Sequence, residues 1–237
     1  MEWTDDAIVL SARRHGESGA VVHVLSAGHG RHAGLVHGGF GKAHRGALLP
    51  GNRVRVRWRA RLAEQLGTMT CELVDAVAAR AMDDPARLAA VSSACALCEA
   101  TLPERQPHGP AFLALAALLD ALESESWPTV YVHWELALLR DLGYGLDLGS
   151  CAATGANDGL AFVSPRSGRA VSASAGEPWR DKLLALPRFL VTGGEGDAGE
   201  IAQGLVLTGF FLERHVLGPN ALPMPAARSR LVDRLRS

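Results

Sequence analysis

Between Arg53 and Arg61 the chain reads Arg-Val-Arg-Val-Arg-Trp-Arg-Ala-Arg, an unbroken alternation of cationic and apolar side chains. Period two is the signature of a β-strand. It places Arg53, Arg55, Arg57, Arg59 and Arg61 on one face and Val54, Val56, Trp58 and Ala60 on the other. Such a strand needs neighbours to cover its apolar face, and the flanking sequence supplies them. Residues 7–12, 20–25, 31–36 and 66–73 are further β-prone runs. They are separated by turns at His15–Gly19, Ala27–Gly30 and Pro50–Asn52, and by a glycine-rich loop beginning at His37. Five short strands at this spacing predict a small β-barrel.

The composition changes near residue 78. Asp83-Asp84-Pro85 supplies an N-cap and a first-turn proline for a helix over 86–102. After a linker at 103–110, helices are expected over 111–123 and over 129–142, the latter ended by Gly143. Residues 147–178 are rich in Gly, Ser and Ala and read as an irregular or hairpin insertion. A short helix is expected over 178–189. A last long helix opens with the capping pair Asp197 and Glu200 and runs to Leu217, before Gly218-Pro219. The predicted architecture is α+β in several parts: a small β-barrel at 1–78, then an all-α domain at 79–237 carrying the insertion at 147–178. No run of 18 apolar residues is present, and the acidic start Met1–Asp6 does not read as a signal peptide. The expectation is a cytoplasmic protein with no membrane partner, whose cysteines at 71, 95, 98 and 151 are free thiols.

Net charge is −1 overall, but it is unevenly distributed. Residues 1–80 hold 11 Lys and Arg against 7 Asp and Glu, leaving 13 against 18 for the remainder. From Arg13 to Arg61 there are ten basic residues and one acid, Glu17. Such asymmetry points to a polyanion partner for the N-terminal part. Two residues advance a strand by about 6.6 Å, close to the phosphate spacing of an extended single strand. Five guanidinium groups in a row repel one another unless anions sit among them. The alternative is an edge strand charged against aggregation, for which one or two charges normally suffice. The loop from Gly38 to Arg45 adds Lys42 and Arg45 on a backbone that glycine allows to approach a phosphate. With Arg13, Arg14 and Arg31 these form the candidate nucleic-acid-binding set. Phe40 is its candidate for base stacking, and Trp58 is assigned to the core.

Other constellations carry less. His29, His32 and His37 lack Cys, Asp or Glu neighbours to complete a metal site, so no metal or other cofactor is expected, and the histidines read as polar surface groups. Cys95-Ala96-Leu97-Cys98 lies in an Ala-rich predicted helix and reads as core. No nucleophile elbow, phosphate-binding loop or paired-acid motif is present, so the chain is read as non-enzymatic and without catalytic residues.

Ordered short motifs also resemble a known family. Ala7–Leu10, Glu17-Ser18, His29-Gly30-Arg31, Gly39-Phe40-Gly41-Lys42, Arg45-Gly46 and Leu48-Leu49-Pro50 are similar to the opening of the bacterial RecO recombination mediators. Further on, Leu139–Leu148, Cys151-Ala152-Ala153-Thr154-Gly155, Phe162–Gly168 and Arg228–Leu231 match that family's later pattern. The resemblance implies an N-terminal OB-fold and a helical C-terminal domain without catalytic activity. It also implies binding of single- and double-stranded DNA, annealing of complementary strands, and work with RecR to load RecA onto strands coated by single-strand-binding protein. Many members hold zinc with two CxxC pairs. Here Cys151 remains, while Thr154, Ser172 and Ala175 stand at the other positions, so no metal is expected. Two alternatives stay open: a scaffold that recruits the acidic, apolar C-terminal tail of single-strand-binding protein and binds DNA weakly, and an RNA-binding OB protein. Arg228, Arg230, Arg234 and Arg236 read as a solvated helix end.

Overall fold

Five strands follow one another at the N-terminus: β1 (Glu2–His15), β2 (Gly19–Ser26), β3 (Gly30–Val36), β4 (Arg53–Arg59) and β5 (Thr68–Asp75). The computed structural model describes residues 1–41 and 46–236. Its contacts divide it into two units, Met1–Asp120 with Pro225–Leu231 and Ala121–Met224 with Val232–Ser237. In the first unit the strands close in the order β1-β2-β3-β5-β4, with β4 pairing back onto β1. All pairs are antiparallel except β3 with β5. This is the five-stranded OB arrangement.

Closure depends on β1 serving two neighbours. Glu2 to Ile8 pair with β4, Ala7 to His15 pair with β2, and the register shifts between Val9 and Ser11 where the strand bends. Val9, Val22, Val24, Val54, Val56, Trp58 and Met69 fill the interior. Each fully buried aliphatic side chain contributes roughly 1.5–3 kcal/mol of transfer free energy. The Trp58 indole N–H donates to the Leu66 carbonyl at 2.9 Å, which meets its polar requirement inside the core. The arginine strand is shorter than its sequence pattern: regular pairing ends at Arg59, and Arg61 lies in the bend that follows.

Three helices follow the barrel in sequence. After the short α1 (Val77–Ala81), the Asp84 side chain accepts from the backbone N–H groups of Ala86 and Arg87 and starts α2 (Pro85–Thr101). α2 packs on the barrel so closely that a Cβ on Gly51 would lie 2.4 Å from Val91 Cγ1. Gly51 also has φ +88°, so glycine is required there twice over. α3 (Gly109–Ala121) follows.

In the second unit, α4 (Trp127–Asp141) packs against α7 (Ala198–Phe211), where Gly204 lets the Val132 side chain approach. The buried Thr208 hydroxyl donates to the buried Glu135 carboxylate between the same two helices. The Asp197–Glu200 capping box forms as expected. The insertion folds into β6 (Leu160–Val163), β7 (Ala170–Ser172) and α5 (Ala173–Gly176), and β8 (Leu184–Ala185) joins the sheet in the order β7-β6-β8.

Three sequence expectations are corrected here. The helix predicted over 178–189 is a 3-10 turn (Glu177–Lys182), strand β8 and the short α6 (Phe189–Thr192), because Leu184 and Ala185 pair with β6 instead. The last long helix widens into a π-helix at Leu212–Leu217. Finally, α8 (Ala226–Arg236) is not a wholly solvated end: Leu231 is fully buried and Arg228 is 5 % exposed. No helix among the described residues is long and apolar enough to cross a membrane.

Candidate nucleic-acid interface

The outer wall of the barrel is built by register. Across β4, Arg55 lies opposite Asp6 on β1 and Glu72 on β5, Arg57 lies opposite Thr4 and Thr70, and Arg59 opposite Glu2 and Thr68. Val54, Val56 and Trp58 point inward as the alternation requires. Five guanidinium groups in a row need anions among them. The structure shows that the protein supplies several of these itself.

Arg53 donates to the Ala116 carbonyl at 2.8 Å and to Asp120 at 2.7 Å, and lies 3.9 Å from Asp75. Its side chain is only 28 % exposed, so this arginine ties β4 to α3. Arg55 pairs with Asp6 at 2.9 Å and Arg57 pairs with Glu2, whose carboxyl is held below its usual pKa by that bond. Both guanidinium groups stay more than half exposed. Among the described residues, Arg59 and Arg61 are exposed and make no ion pair. The row is therefore graded. It is neutralised at the Arg53 end and least compensated at the Arg59–Arg61 end, where the cross-strand neighbours of Arg59 are Thr68 and Glu2, the latter already paired with Arg57.

The remaining predicted residues are dispersed. Arg13 is exposed but bonds Glu99 on α2 at 2.7 Å, and Arg14 donates to the Glu17 carbonyl. Arg31 is 17 % exposed and is bound to Glu104 and the Leu102 carbonyl, which anchors the chain after α2. Phe40, at 38 % exposure, stands in the β3–β4 loop with its N–H on the Ser18 carbonyl. Lys42 and Arg45 lie outside the described residues.

Sequence reasoning overlooked an aromatic stack at one end of the barrel. Trp3 lies parallel to His29 at 4.2 Å and to Trp58 at 5.9 Å, with His32 edge-on to both tryptophans. Its signal was available in the register, since Trp3 falls opposite Trp58. The expectation that the histidines are surface groups fails at His32. It is 5 % exposed, neither ring nitrogen has a hydrogen-bond partner, and burial lowers its pKa to about 4. His29 bonds Asp5 at 3.3 Å.

Cys95 and Cys98 are buried on α2, and burial pushes the Cys95 thiol up to about 12. Cys151 is buried as well, but its thiol has polar neighbours. Its sulfur lies 3.5 Å from the Ser172 Oγ and accepts the Ser172 N–H at 3.2 Å. These contacts, with the Thr154 hydroxyl, lower its pKa to about 6. One thiol and two alcohols do not suit zinc, which selects thiolate, imidazole and carboxylate. The positions that would hold a metal are instead joined by hydrogen bonds.

The second unit carries a cleft of about 290 Å³ along α4, lined by His133, Leu136, Ala137, Arg140, Leu146 and Leu148. It combines an apolar floor with one permanent cation and one histidine.

A closed OB barrel with an arginine-lined outer wall, followed by a helical unit, defines the class: an OB-barrel protein with a helical extension. Residues 1–77 match the family model described as Recombination protein O N terminal, and residues 82–222 match Recombination protein O C terminal. Over all of its length this chain is 62 % identical to the DNA repair protein RecO of Rhodospirillum centenum, covering 95 % of that protein. It is 51 % identical to the RecO protein of Rhodospirillum rubrum, covering 97 % of it, and 52 % identical to that of Phenylobacterium zucineum, covering 98 %. The chain belongs to the RecO family.

Proposed function

We propose that this protein acts in DNA repair and homologous recombination as a non-enzymatic mediator. On this reading it binds single- and double-stranded DNA, anneals complementary strands, and helps to load RecA together with RecR. The observation that carries the reading is the least compensated end of the arginine row, where Arg59 and Arg61 stand exposed and, among the described residues, make no ion pair. Two backbones neutralised on such a wall approach without mutual repulsion, and base pairing then supplies the specificity. Residues 1–78 are the proposed DNA-binding domain and 79–237 the helical domain, with a degenerate zinc motif at 147–178. The protein would work in the cytoplasm, at the nucleoid.

A partner role has its own support. The cleft along α4 has the chemistry for an acidic, apolar peptide, with leucines for its side chains and Arg140 for a carboxylate. The C-terminal tail of single-strand-binding protein has that character, and the cleft is its proposed seat.

The test is fluorescence anisotropy of a labelled single strand over a salt series, comparing the protein with an Arg57→Ala/Arg59→Ala/Arg61→Ala variant. Each phosphate engaged contributes about 0.7 to the log–log slope, so losing two open contacts should flatten it by roughly 1.4. A variant with unchanged affinity and slope removes the barrel wall from the DNA path and favours the scaffold reading. An RNA strand that outcompetes DNA of the same sequence favours the RNA-binding alternative.

A further inference from the structure

The second unit contains another cleft, of about 210 Å³, which adjoins the first at Gly145 and Leu146. Tyr144, Arg166, Phe211 and His215 line it. The three rings form a ladder from core to surface. Phe211 is 2 % exposed, the His215 ring stacks on it at 5.8 Å with an angle of 11°, and Tyr144 stacks on His215 at 5.5 Å. Tyr144 itself is 42 % exposed, so the ladder ends in an open aromatic face. The backbone holds it there: Gly143 turns out of α4 at φ +89°, and the Tyr144 N–H bonds the Leu139 carbonyl at 2.8 Å.

His215 stands in the π-helix Leu212–Leu217, and such wide turns recur at functional sites because they re-aim a side chain at the expense of regular hydrogen bonding. Opposite, Arg166 is exposed in the β6–β7 turn and makes no ion pair among the described residues. The neighbouring acid Asp147 is taken by Arg169 at 3.2 Å. The β6–β8 register pairs Val163 with Leu184, which brings the entry to β8 to the same end of the sheet as the Arg166 turn. That entry carries Trp179, 56 % exposed, with Lys182 Nζ 5.4 Å from its ring centroid.

Exposed rings beside cations that make no ion pair among the described residues fit neither an apolar core nor a simply solvated surface. They match the requirements of an unpaired nucleotide, a π-face for the base and a guanidinium for its phosphate. We propose that the cleft of Tyr144, His215 and Arg166 is a second DNA contact in the helical unit, separate from the barrel wall, on which one unpaired base of a single strand stacks. The site would hold a displaced or incoming base while the barrel holds backbones.

The test uses the full-length protein and a labelled oligothymidine strand carrying 5-iodouracil, with the photoadduct located by mass spectrometry. The expected adduct is on Tyr144 or His215. Adducts confined to the barrel overturn the proposal and leave the barrel reading intact. In parallel, Tyr144→Ala should weaken single-strand binding about tenfold, the size of one lost stacking contact, while Tyr144→Phe binds normally and duplex affinity is unchanged. Equal losses with Phe and Ala, or on duplex and single strand, overturn it. So does a Tyr144→Ala variant that loses only an acidic, apolar peptide, since the cleft is then a peptide site. Arg166→Ala, which alters no packed residue, provides the second variant: it should flatten the salt slope by about 0.7, and an unchanged slope counts against the site.

Discussion

Removing two acids from β1 should make this protein bind DNA more tightly. Glu2 and Asp6 occupy the guanidinium groups of Arg57 and Arg55 on an exposed wall. When a phosphate displaces a carboxylate, the freed carboxylate gathers a counterion of its own, so the exchange releases little net salt. Only Arg59 and Arg61 then contribute in full, for a slope share of about 2 × 0.7 = 1.4. In a Glu2→Gln/Asp6→Asn variant all four arginines should contribute, raising that share to about 2.8. If the electrostatic term vanishes near 1 M salt, the additional 1.4 in slope corresponds to roughly 25-fold tighter binding near 0.1 M. The fold should tolerate the change, because exposed ion pairs add little net stability. Anisotropy titrations of a single strand across salt measure both quantities. Unchanged or weaker binding by a folded variant would falsify the idea that these carboxylates compete with phosphate, and would place the DNA path elsewhere.

The other predictions concern groups that sequence reading placed in different roles. Arg53→Ala should leave the salt slope unaltered but lower stability by about 1–2 kcal/mol, through its lost bonds to Asp120 and the Ala116 carbonyl; a thermal melt should shift down by a few degrees. His32, with a folded pKa of about 4 against 6.5 unfolded, stays neutral in the fold while the unfolded chain takes a proton. Stability should therefore fall as pH drops from 6.5 to 4, by about 3 kcal/mol in all, and His32→Leu should flatten that part of a denaturation–pH profile. Cys151 is buried like Cys71 and Cys95, so iodoacetamide should label all three slowly in the fold; at a given opening rate near pH 7 Cys151, its pKa lowered to about 6, should react ahead of Cys71 and Cys95, whose thiols burial pushes up to about 12. Ser172→Ala should move the alkylation midpoint of Cys151 upward, and equal labelling of the cysteines, read by mass spectrometry, would refute the assignment.

Much of the fold was legible because its signals are local. The alternation at 53–61, the turn at Pro50–Asn52 and the Asp84 and Asp197 caps each follow from a few adjacent residues, and the elements form where those residues place them. The 178–189 segment misled because Leu184 and Ala185 satisfy their backbone by pairing with β6, a contact some twenty residues away. Zinc-motif degeneracy was visible as missing cysteines, but not the hydrogen bonds from Ser172 that replace a metal at Cys151.

The interface divides in the same way. Period two alone determined that the arginines share a face, because side-chain direction in a strand is intrinsic to its pleat. Which of them are free to meet a phosphate was decided by tertiary structure, since charge compensation depends on what lies across the sheet. The Glu2-Trp3-Thr4-Asp5-Asp6 segment looks like an acidic tail in one dimension. Once β1 closes the barrel on β4, Glu2 and Asp6 become the partners of Arg57 and Arg55, and among the described residues Arg59 and Arg61 are left without an ion pair. The sequence determined where the charge lies; barrel closure decided how much of it is available.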